Sequence, residues 1–309
     1  MKITSLNFYN DFKCLAGNCH HTCCAYWEIN IDKKALLHYS KIKGDFSERI
    51  KQSVNFEKSC FNKVDDRCAF LNNKNLCDLI INLGEKSLCT VCREHPRYRN
   101  YFNSHIEMGY GLCCEVVANN VIDYKDKVKE NTIRKGVPLR IDKRFQKEIL
   151  KIKQKIFEIL GEDISFSEKT DKILSQINVK KEDILLKEYS SILSQMEILN
   201  KDFKNAINLL DKKLEIKVRK EHEKSLENLL YYFIHRHLAN SIDILDIKTR
   251  IVFSIVSVLI IENISRNLTK NDSEFKNNLK EIAREYSVEI EYSDDNYYKF
   301  LDKIDEILK

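Results

Sequence analysis

Apolar residues recur every three or four positions through most of the chain after residue 140. The first run consists of Phe145, Ile149, Ile152, Ile156 and Ile159. This spacing places one apolar stripe along an α-helix. Similar spacing continues through Ile184 to Leu199, Phe203 to Leu214, Leu226 to Leu238, Leu245 to Ile264, Phe275 to Tyr286 and Tyr297 to Leu308. The pattern predicts a domain of roughly six to eight helices over residues 140–309.

The first part of the chain has a different pattern. Residues 1–123 alternate short apolar pieces with polar turns, and they carry all eleven cysteines. Asp32 is expected to cap a helix that begins at Lys33. The charged segment 124–139, which contains Gly136 and Pro138, is the predicted linker.

Cysteines at this density require an explanation by disulfides, by metal or by chance, and buried free thiols could account for two or three of them. The spacing of Cys19, Cys23 and Cys24, and the pair Cys89-x-x-Cys92, favour metal because such thiolates can converge on one cation or cluster. The N-terminus MKITSLNFYNDFKC has no apolar run of signal-peptide length, so a reducing cytoplasm is expected, where structural disulfides are rare. The predicted fold is therefore mainly α, with a small cysteine-rich metal-binding N-terminal domain (1–123), a linker (124–139) and a multi-helix C-terminal domain (140–309).

Composition narrows the functional classes. Two prolines and seven glycines in 309 residues disfavour a turn-rich all-β fold. The net charge of +5 is spread along the chain, so no concentrated footprint for nucleic acid emerges. The longest apolar stretch, Ile251 to Ile261, is too short to span a bilayer and predicts a buried helix instead.

A series of motifs extends along nearly the whole chain. It comprises Phe12-Lys-Cys14, Cys19, Cys23-Cys24, Trp27, Cys68-Ala-Phe-Leu71, Leu76-Cys77-Asp78, Leu83-Gly84-Glu85, Cys92 with Pro96-Arg97, Gly111-Leu-Cys113-Cys114-Glu115, Tyr232-Phe-Ile-His-Arg236-His237-Leu and residues 289–296. Together these motifs resemble the bacterial flagellin lysine-N-methylases. The N-terminal part is also similar to a wider group of zinc- or iron-chelating proteins named for a CxxCxxCC pattern.

The resemblance implies a set of metal ligands. They are Cys14, Cys19, Cys23, Cys24, Cys68, Cys77, Cys92 and Cys113. Cys60 and Cys89 have no counterpart in the family pattern. Eight thiolates exceed the four that one tetrahedral zinc or one cubane cluster takes, so either two centres exist or about half of these residues are structural. The family's iron and zinc chelation favours a [4Fe-4S] cluster, with zinc as the alternative.

The resemblance also implies a function: transfer of methyl groups from S-adenosylmethionine to lysines of flagellin in the cytoplasm. The chain has neither the glycine-rich loop of a Rossmann-type methyltransferase nor the CxxxCxxC spacing of radical enzymes that use the same cofactor. The candidate catalytic residues are Tyr232, Arg236 and His237, and the candidate cofactor-binding residues are Trp27, Glu291, Asp294 and Asp295.

Simpler interpretations of these residues stay open. Arg236 could pair with an acid inside the fold, Trp27 could serve packing, and the acidic run could be a solvated helix cap. The alternative function is a non-enzymatic iron–sulfur or zinc protein, acting in electron transfer or as a helical interaction module.

Overall fold

The computed structural model describes residues 2–135, 145–185, 189–211, 214 and 219–309. Its strands are β1 (Lys2–Leu6), β2 (Val54–Asn55), β3 (Cys60–Phe61), β4 (Lys63–Val64), β5 (Arg67–Cys68), β6 (Arg97–Tyr101), β7 (His105–Tyr110) and β8 (Glu130–Lys135). Its helices are α1 (Lys33–Tyr39), α2 (Phe46–Ser53), α3 (Asp78–Leu83), α4 (Thr90–Glu94), α5 (Glu115–Asp123), α6 (Gln146–Leu160), α7 (Phe166–Gln176), α8 (Lys181–Leu185), α9 (Tyr189–Ser194), α10 (Lys201–Ile207), α11 (Lys220–His237), α12 (Ile244–Leu268), α13 (Asp272–Tyr286) and α14 (Asp294–Leu308). The prediction of a mainly helical protein is confirmed.

The chain divides into two compact units. One consists of Met1–Phe12 together with Tyr98–Lys309 and is called the helical unit below. The other, Lys13–Arg97, is called the cysteine-rich unit. The boundaries predicted at residues 123 and 139 stay predictions, and residues 136–144, which include the end of the predicted linker, lie outside the described residues.

A four-stranded sheet in the helical unit has the strand order β6-β7-β1-β8. Strand β1 runs parallel to β7, with Thr4 beside Glu107, and antiparallel to β8, with Leu6 beside Glu130. The N-terminal strand therefore joins two strands that are distant in sequence. This register brings His105 and Glu107 of β7 close to the start of β8.

Helix α12 forms the centre of the helical unit. Its residues from Ile251 to Ile264 are buried on every side, and the helix packs against α11, α13 and α14. A helix that is apolar all round belongs in a core, as predicted for Ile251 to Ile261. Among the described residues, none of the helices has the length and hydropathy that a bilayer crossing requires.

The helical pattern after residue 140 was predicted with partial accuracy. The described residues there form nine helices, α6 to α14, which is more than the expected number. The segment Ile184 to Leu199 is not one helix, because α9 ends at Ser194 and residues 195–199 are not helical. Residues 186–188 of this segment lie outside the described residues. Helix α7 was missed, although Ser165 and Glu168 form a capping box at its start.

In the cysteine-rich unit, Asp32 links two helices. Its Oδ1 accepts a hydrogen bond from the Ala35 N–H (3.1 Å), which confirms the predicted cap of α1. Its Oδ2 accepts from the Thr90 N–H at the start of α4 (2.7 Å). The Thr90 bond in particular holds the pKa of Asp32 below its ordinary value. This carboxylate therefore fixes α1 to the segment that carries Cys89 and Cys92.

Core packing around α12 leads to a stability prediction. Ile255 is fully buried in α12, whereas Ile242 is 75% exposed just before it. We expect Ile255→Ala to lower the free energy of unfolding by about 2–5 kcal/mol, because it removes buried methyl groups and leaves a cavity. The matched variant Ile242→Ala should change it by no more than about 0.5 kcal/mol. Urea denaturation measures both, and equal effects would show that α12 is not the core helix.

Candidate functional site

Five cysteines come together in the cysteine-rich unit, and we call them the cysteine cluster: Cys24, Cys68, Cys77, Cys89 and Cys92. The Cys68 N–H donates to the Cys24 carbonyl (2.7 Å). Cys77 pairs through its backbone with Leu71, in an isolated antiparallel β-bridge. The thiols of Cys89 and Cys92 hydrogen-bond to each other. Four of these residues were predicted ligands.

Cys89 is the member of the cysteine cluster that the family comparison left out. Its side chain is fully buried, within the same core cluster as Cys68. The signal that could have found it is its Cys89-x-x-Cys92 spacing, which brings two thiols to one turn at the start of a helix.

The sulfur donors of the cysteine cluster suit a soft metal in their chemistry, but in this part of the described chain no three of their Sγ atoms all lie within 4.8 Å of one another. Burial, together with the neighbouring thiols, raises the pKa of Cys68 to about 12. The hydrogen bond with Cys23 lowers the pKa of Cys24 to about 7, and the hydrogen bond with Cys92 lowers that of Cys89 to about 7. A soft cation or iron–sulfur cluster binds such residues as thiolates. These residues therefore suit the metal that the sequence predicts, and its identity stays a prediction.

The other predicted ligands lie outside the cysteine cluster, although the Cys23 side chain hydrogen-bonds to that of Cys24. Cys14 and Cys23 are exposed and Cys19 is half-buried, all at the start of the cysteine-rich unit. Cys113 belongs to the helical unit. Their assignment as ligands stays a prediction. Trp27, a predicted cofactor-binding residue, donates its Nε1–H to the Cys23 carbonyl (2.9 Å), and its ring lies 5.9 Å from that of His95.

A second group, which we call the arginine network, surrounds Arg236 at the end of α11. The guanidinium Nε lies 3.1 Å from Glu291 Oε1, and Nη1 donates to the Tyr232 hydroxyl (2.8 Å). The Tyr232 hydroxyl donates to Glu291 and accepts from the Leu112 N–H. His237 Nε2 lies 2.6 Å from the same Glu291 Oε1. Tyr232, Arg236, His237 and Glu291, which were predicted from two separate segments, are thus in direct contact.

Aromatic rings enclose the guanidinium. Its Cζ lies 4.5 Å from the ring centre of Tyr292, 5.2 Å from Tyr98 and 5.9 Å from Tyr232. These approaches depend on two glycines. A Cβ at Gly109 would overlap the Tyr98 ring, and one at Gly111 would overlap the Tyr292 hydroxyl and Arg236 Nη1. The pair Gly109-Tyr-Gly111 therefore serves close packing around Arg236.

The arginine network is buried and charged. Burial opposes ionisation of Glu291, but Arg236 and the bond with His237 outweigh it and hold the pKa of Glu291 below its ordinary value. Burial lowers the pKa of His237 to about 4, so this ring is neutral at physiological pH. Tyr292, 42% exposed, is the side of the network that faces solvent.

Two predicted residues lie outside the arginine network. Asp294 and Asp295 are exposed in the first turn of α14, where Ser293 caps the helix. Their position matches the simpler interpretation of a solvated helix start, because acidic residues there interact favourably with the helix dipole. No contact connects them to Glu291 among the hydrogen bonds and ion pairs found for the described residues. Their cofactor role stays a prediction.

Sequence reasoning missed a third group, which we call the carboxylate cluster: His105, Glu107, Glu130 and Lys153. Lys153 Nζ bonds to Glu107 Oε1 and lies 2.8 Å from Glu130 Oε2, and His105 Nε2 lies 3.3 Å from Glu107 Oε1. Burial opposes ionisation of Glu107, but Lys153 and His105 bring its pKa down to about 2. The only local signal is His105-x-Glu107, two residues that share one face of a strand.

Comparison with known proteins gives distant relatives. The lysine-N-methylases of Salmonella choleraesuis strain SC-B67 and Salmonella typhimurium strain LT2 are each 24% identical to the chain over 142 residues, which cover 42% of this chain and 35% of theirs. The flagellar biosynthetic protein FliU of Salmonella muenchen is 23% identical over 133 residues, 40% of this chain and 79% of its own. The chain is related to the flagellin lysine-N-methylase family.

The match to this family is partial. It spans about a third of the length of the two lysine-N-methylases. Neither a protein-family model nor a solved structure matches the chain. The relationship agrees with the resemblance found along the motifs, and what the relatives do bears on this chain only as a proposal.

The carboxylate cluster predicts a pH dependence of stability. The folded pKa of Glu107, about 2, is below its ordinary value of 4.5, so its stabilising contribution is present above pH 4.5 and is lost as pH falls towards 2. We expect the free energy of unfolding of Glu107→Gln, measured by urea denaturation, to fall less steeply across this pH range than that of the wild type. The difference in slope should correspond to at most one fewer proton taken up on unfolding. The exposed control Glu148→Gln should follow the wild type. Parallel curves for the wild type and Glu107→Gln would contradict the assignment.

The cysteine cluster predicts where metal binds. Cys24→Ser and Cys92→Ser should each lose metal and melt at a lower temperature, because metal binding by such a unit contributes folding free energy. Cys60→Ser is the matched control: Cys60 is buried in β3 but lies outside the cluster. Metal analysis and thermal melting of anaerobically purified protein test this. Full metal content in both cluster variants would refute it.

Proposed function

We propose that this protein is an S-adenosylmethionine-dependent protein lysine N-methyltransferase that acts on flagellin in the cytoplasm. The observation that carries the proposal is the match to two proteins named lysine-N-methylase. The relative named as a flagellar biosynthetic protein supports a flagellar substrate. Direct contact among Tyr232, Arg236 and Glu291, from two separate motifs of the family resemblance, adds support from the geometry.

The reaction sets requirements for the site. The lysine nitrogen attacks the methyl carbon, the bond between that carbon and the sulfonium sulfur breaks, and S-adenosylhomocysteine leaves. At neutral pH a lysine is about 99.9% protonated, so the ammonium must first lose a proton. The site must therefore desolvate the amine or provide a base, and align nitrogen, carbon and sulfur.

The arginine network would orient this site. Arg236 is held from one side by Glu291 and from the others by three tyrosine rings, so its position and those of Tyr98 and Tyr292 depend on one another. A ligand that approaches from solvent meets Tyr292 first, because it is the exposed member. We assign Arg236 a positioning role, since its charge is already paired.

The cysteine cluster would hold the metal centre. A [4Fe-4S] cluster, or zinc as the alternative, supplies folding free energy when thiolates bind it. The unit has a small apolar core around Tyr39, Phe61 and Phe70, so such a contribution would matter for its stability.

A second function is favoured by the cysteine cluster itself. Buried thiols arranged around a metal are also found in non-enzymatic iron–sulfur and zinc proteins, which act in electron transfer or as interaction modules. In that case the helices would be scaffold, and the arginine network would be a structural ion pair.

Flagellin co-expressed with the protein tests the proposal. Intact-mass measurement should show methyl groups added to flagellin by the wild type. The amount of methylated flagellin should fall at least tenfold with Arg236→Lys, because lysine keeps the positive charge but lacks the planar guanidinium that contacts both Tyr232 and Glu291. Arg219→Ala removes an exposed arginine at the start of α11 and should leave methylation unchanged. Circular dichroism and thermal melting establish that each variant is folded.

Two results would count against the proposal. Unmodified flagellin from cells that contain metal-loaded wild-type protein would overturn the methyltransferase assignment and favour the non-enzymatic function. Full methylation by a folded Arg236→Lys variant would remove the arginine network from the site while the activity stands.

A further inference from the structure

A cleft of about 660 Å³ opens on the helical unit between α6 and the segment that leads into β8. Its wall includes His105, Glu130 and Lys153 of the carboxylate cluster. A concave space with a few convergent polar groups is the usual form of a small-molecule site. The cleft is separate from the arginine network, which the proposed function already uses.

The charges in the carboxylate cluster do not cancel. Glu107 and Glu130 carry two negative charges against the single positive charge of Lys153, so the sum is −1 with His105 counted as neutral. The side chain of Glu107 is fully buried and that of Lys153 is 7% exposed, so water screens these charges weakly. Glu130, 21% exposed, brings the excess negative charge to the cleft. A cationic ligand would be attracted there.

Two lysines also line the cleft, together with Glu158, which accepts a hydrogen bond from Gln154 (3.0 Å). The two lysines are Lys127 and Lys129. Their backbone is fixed by Asn7, which donates to the Lys127 carbonyl (3.0 Å) and the Lys129 carbonyl (2.9 Å) and accepts from the Lys129 N–H (2.9 Å). Two ammonium groups on a fixed segment suit a carboxylate.

An aromatic surface completes the wall. Phe157 lines the cleft, and the Tyr231 ring, only 3% exposed, packs edge-on against it with the ring centres 4.8 Å apart. The Phe157 ring also lies 5.4 Å from Lys153 Nζ. Such rings bind planar heterocycles by stacking and stabilise cations at their faces.

We propose that this cleft is the binding site for S-adenosylmethionine, an inference that rests on the proposed function. The ligand combines a sulfonium, an α-ammonium, an α-carboxylate and an adenine ring. Glu130 would face the cationic part, Lys127 and Lys129 the carboxylate, and Phe157, supported by Tyr231, the adenine. A substrate lysine has one cation and neither carboxylate nor ring, so it would leave Lys127 and Lys129 without a partner.

Calorimetric titration of metal-loaded full-length protein tests the proposal. Glu130→Gln should weaken S-adenosylmethionine binding about tenfold, because one charge-assisted contact is lost. It should weaken the binding of the product S-adenosylhomocysteine less, because the sulfur of that product is a neutral thioether. A second variant, Gly161→Leu, places a side chain in the cleft, which Gly161 lines. The backbone at Gly161 has an ordinary φ of −85°, and an added Cβ would have no neighbour closer than 3.4 Å, so we expect this variant to fold. It should weaken both ligands. The exposed control Glu148→Gln should bind as the wild type does.

The outcomes separate the two claims. If the wild type binds S-adenosylmethionine and both folded variants bind it equally well, the cleft is not the site, and the proposed function stands. If the wild type does not bind it, both claims fail. If both variants weaken an N-acetyl-lysinamide probe and leave S-adenosylmethionine binding unchanged, the cleft belongs to the substrate lysine and the proposal is overturned.

Discussion

The buried ion pair between Arg236 and Glu291 constrains the arrangement of the helical unit around it. A guanidinium cannot lose its proton inside a protein, so its burial requires an anion at contact distance. Glu291 provides that anion from the π-helix Ser287–Glu291, which follows α13. The end of α11 and the start of α14 are therefore fixed relative to each other. Gly109 and Gly111 belong to the same constraint, since any side chain there would displace the rings around Arg236.

The arginine network and the carboxylate cluster are joined through α11. Arg236 belongs to the arginine network. The preceding residue, His235, lies beside the carboxylate cluster, with its Nε2 3.9 Å from Glu107 Oε2. Tyr98 connects them, because its ring faces Arg236 and its hydroxyl lies 2.8 Å from His235 Nδ1. Burial lowers the pKa of His235 to about 4, so this link is neutral.

Sequence reasoning succeeded where local chemistry decides structure. The apolar run in α12 and the Asp32 cap follow from short-range rules. The pairing of Arg236 with an acid follows from the cost of burying an unpaired charge. The long segment Ile184 to Leu199 was wrong as a single helix, because α9 ends at Ser194. The backbone after it is bonded instead by distant side chains: the Glu197 N–H donates to Asn296 and the Leu199 N–H to Glu289. The cap at Ser165 was available and was overlooked.

The candidate sites were predictable only in part. Tyr232, Arg236 and Glu291 carried recognisable motifs, and the structure brings them together. The carboxylate cluster could not be found in this way, because its members are distant in sequence. The pairing of β1 with β7 and β8 brings Glu107 and Glu130 together, and Lys153 joins them from α6. The Cys89-x-x-Cys92 spacing indicated Cys89 as a metal ligand, but Cys89 was left out of the predicted ligands because the family pattern has no cysteine there.

A double-mutant cycle on the Arg236–Glu291 pair tests this account most directly. Arg236→Gln and Glu291→Gln would each leave one buried charge unpaired, which typically costs about 3–5 kcal/mol in the free energy of unfolding. The double variant leaves neither charge, so we expect it to be more stable than the sum of the single losses implies, by at least about 2 kcal/mol. Losses that add to within about 0.5 kcal/mol would contradict the claim that the two charges depend on each other.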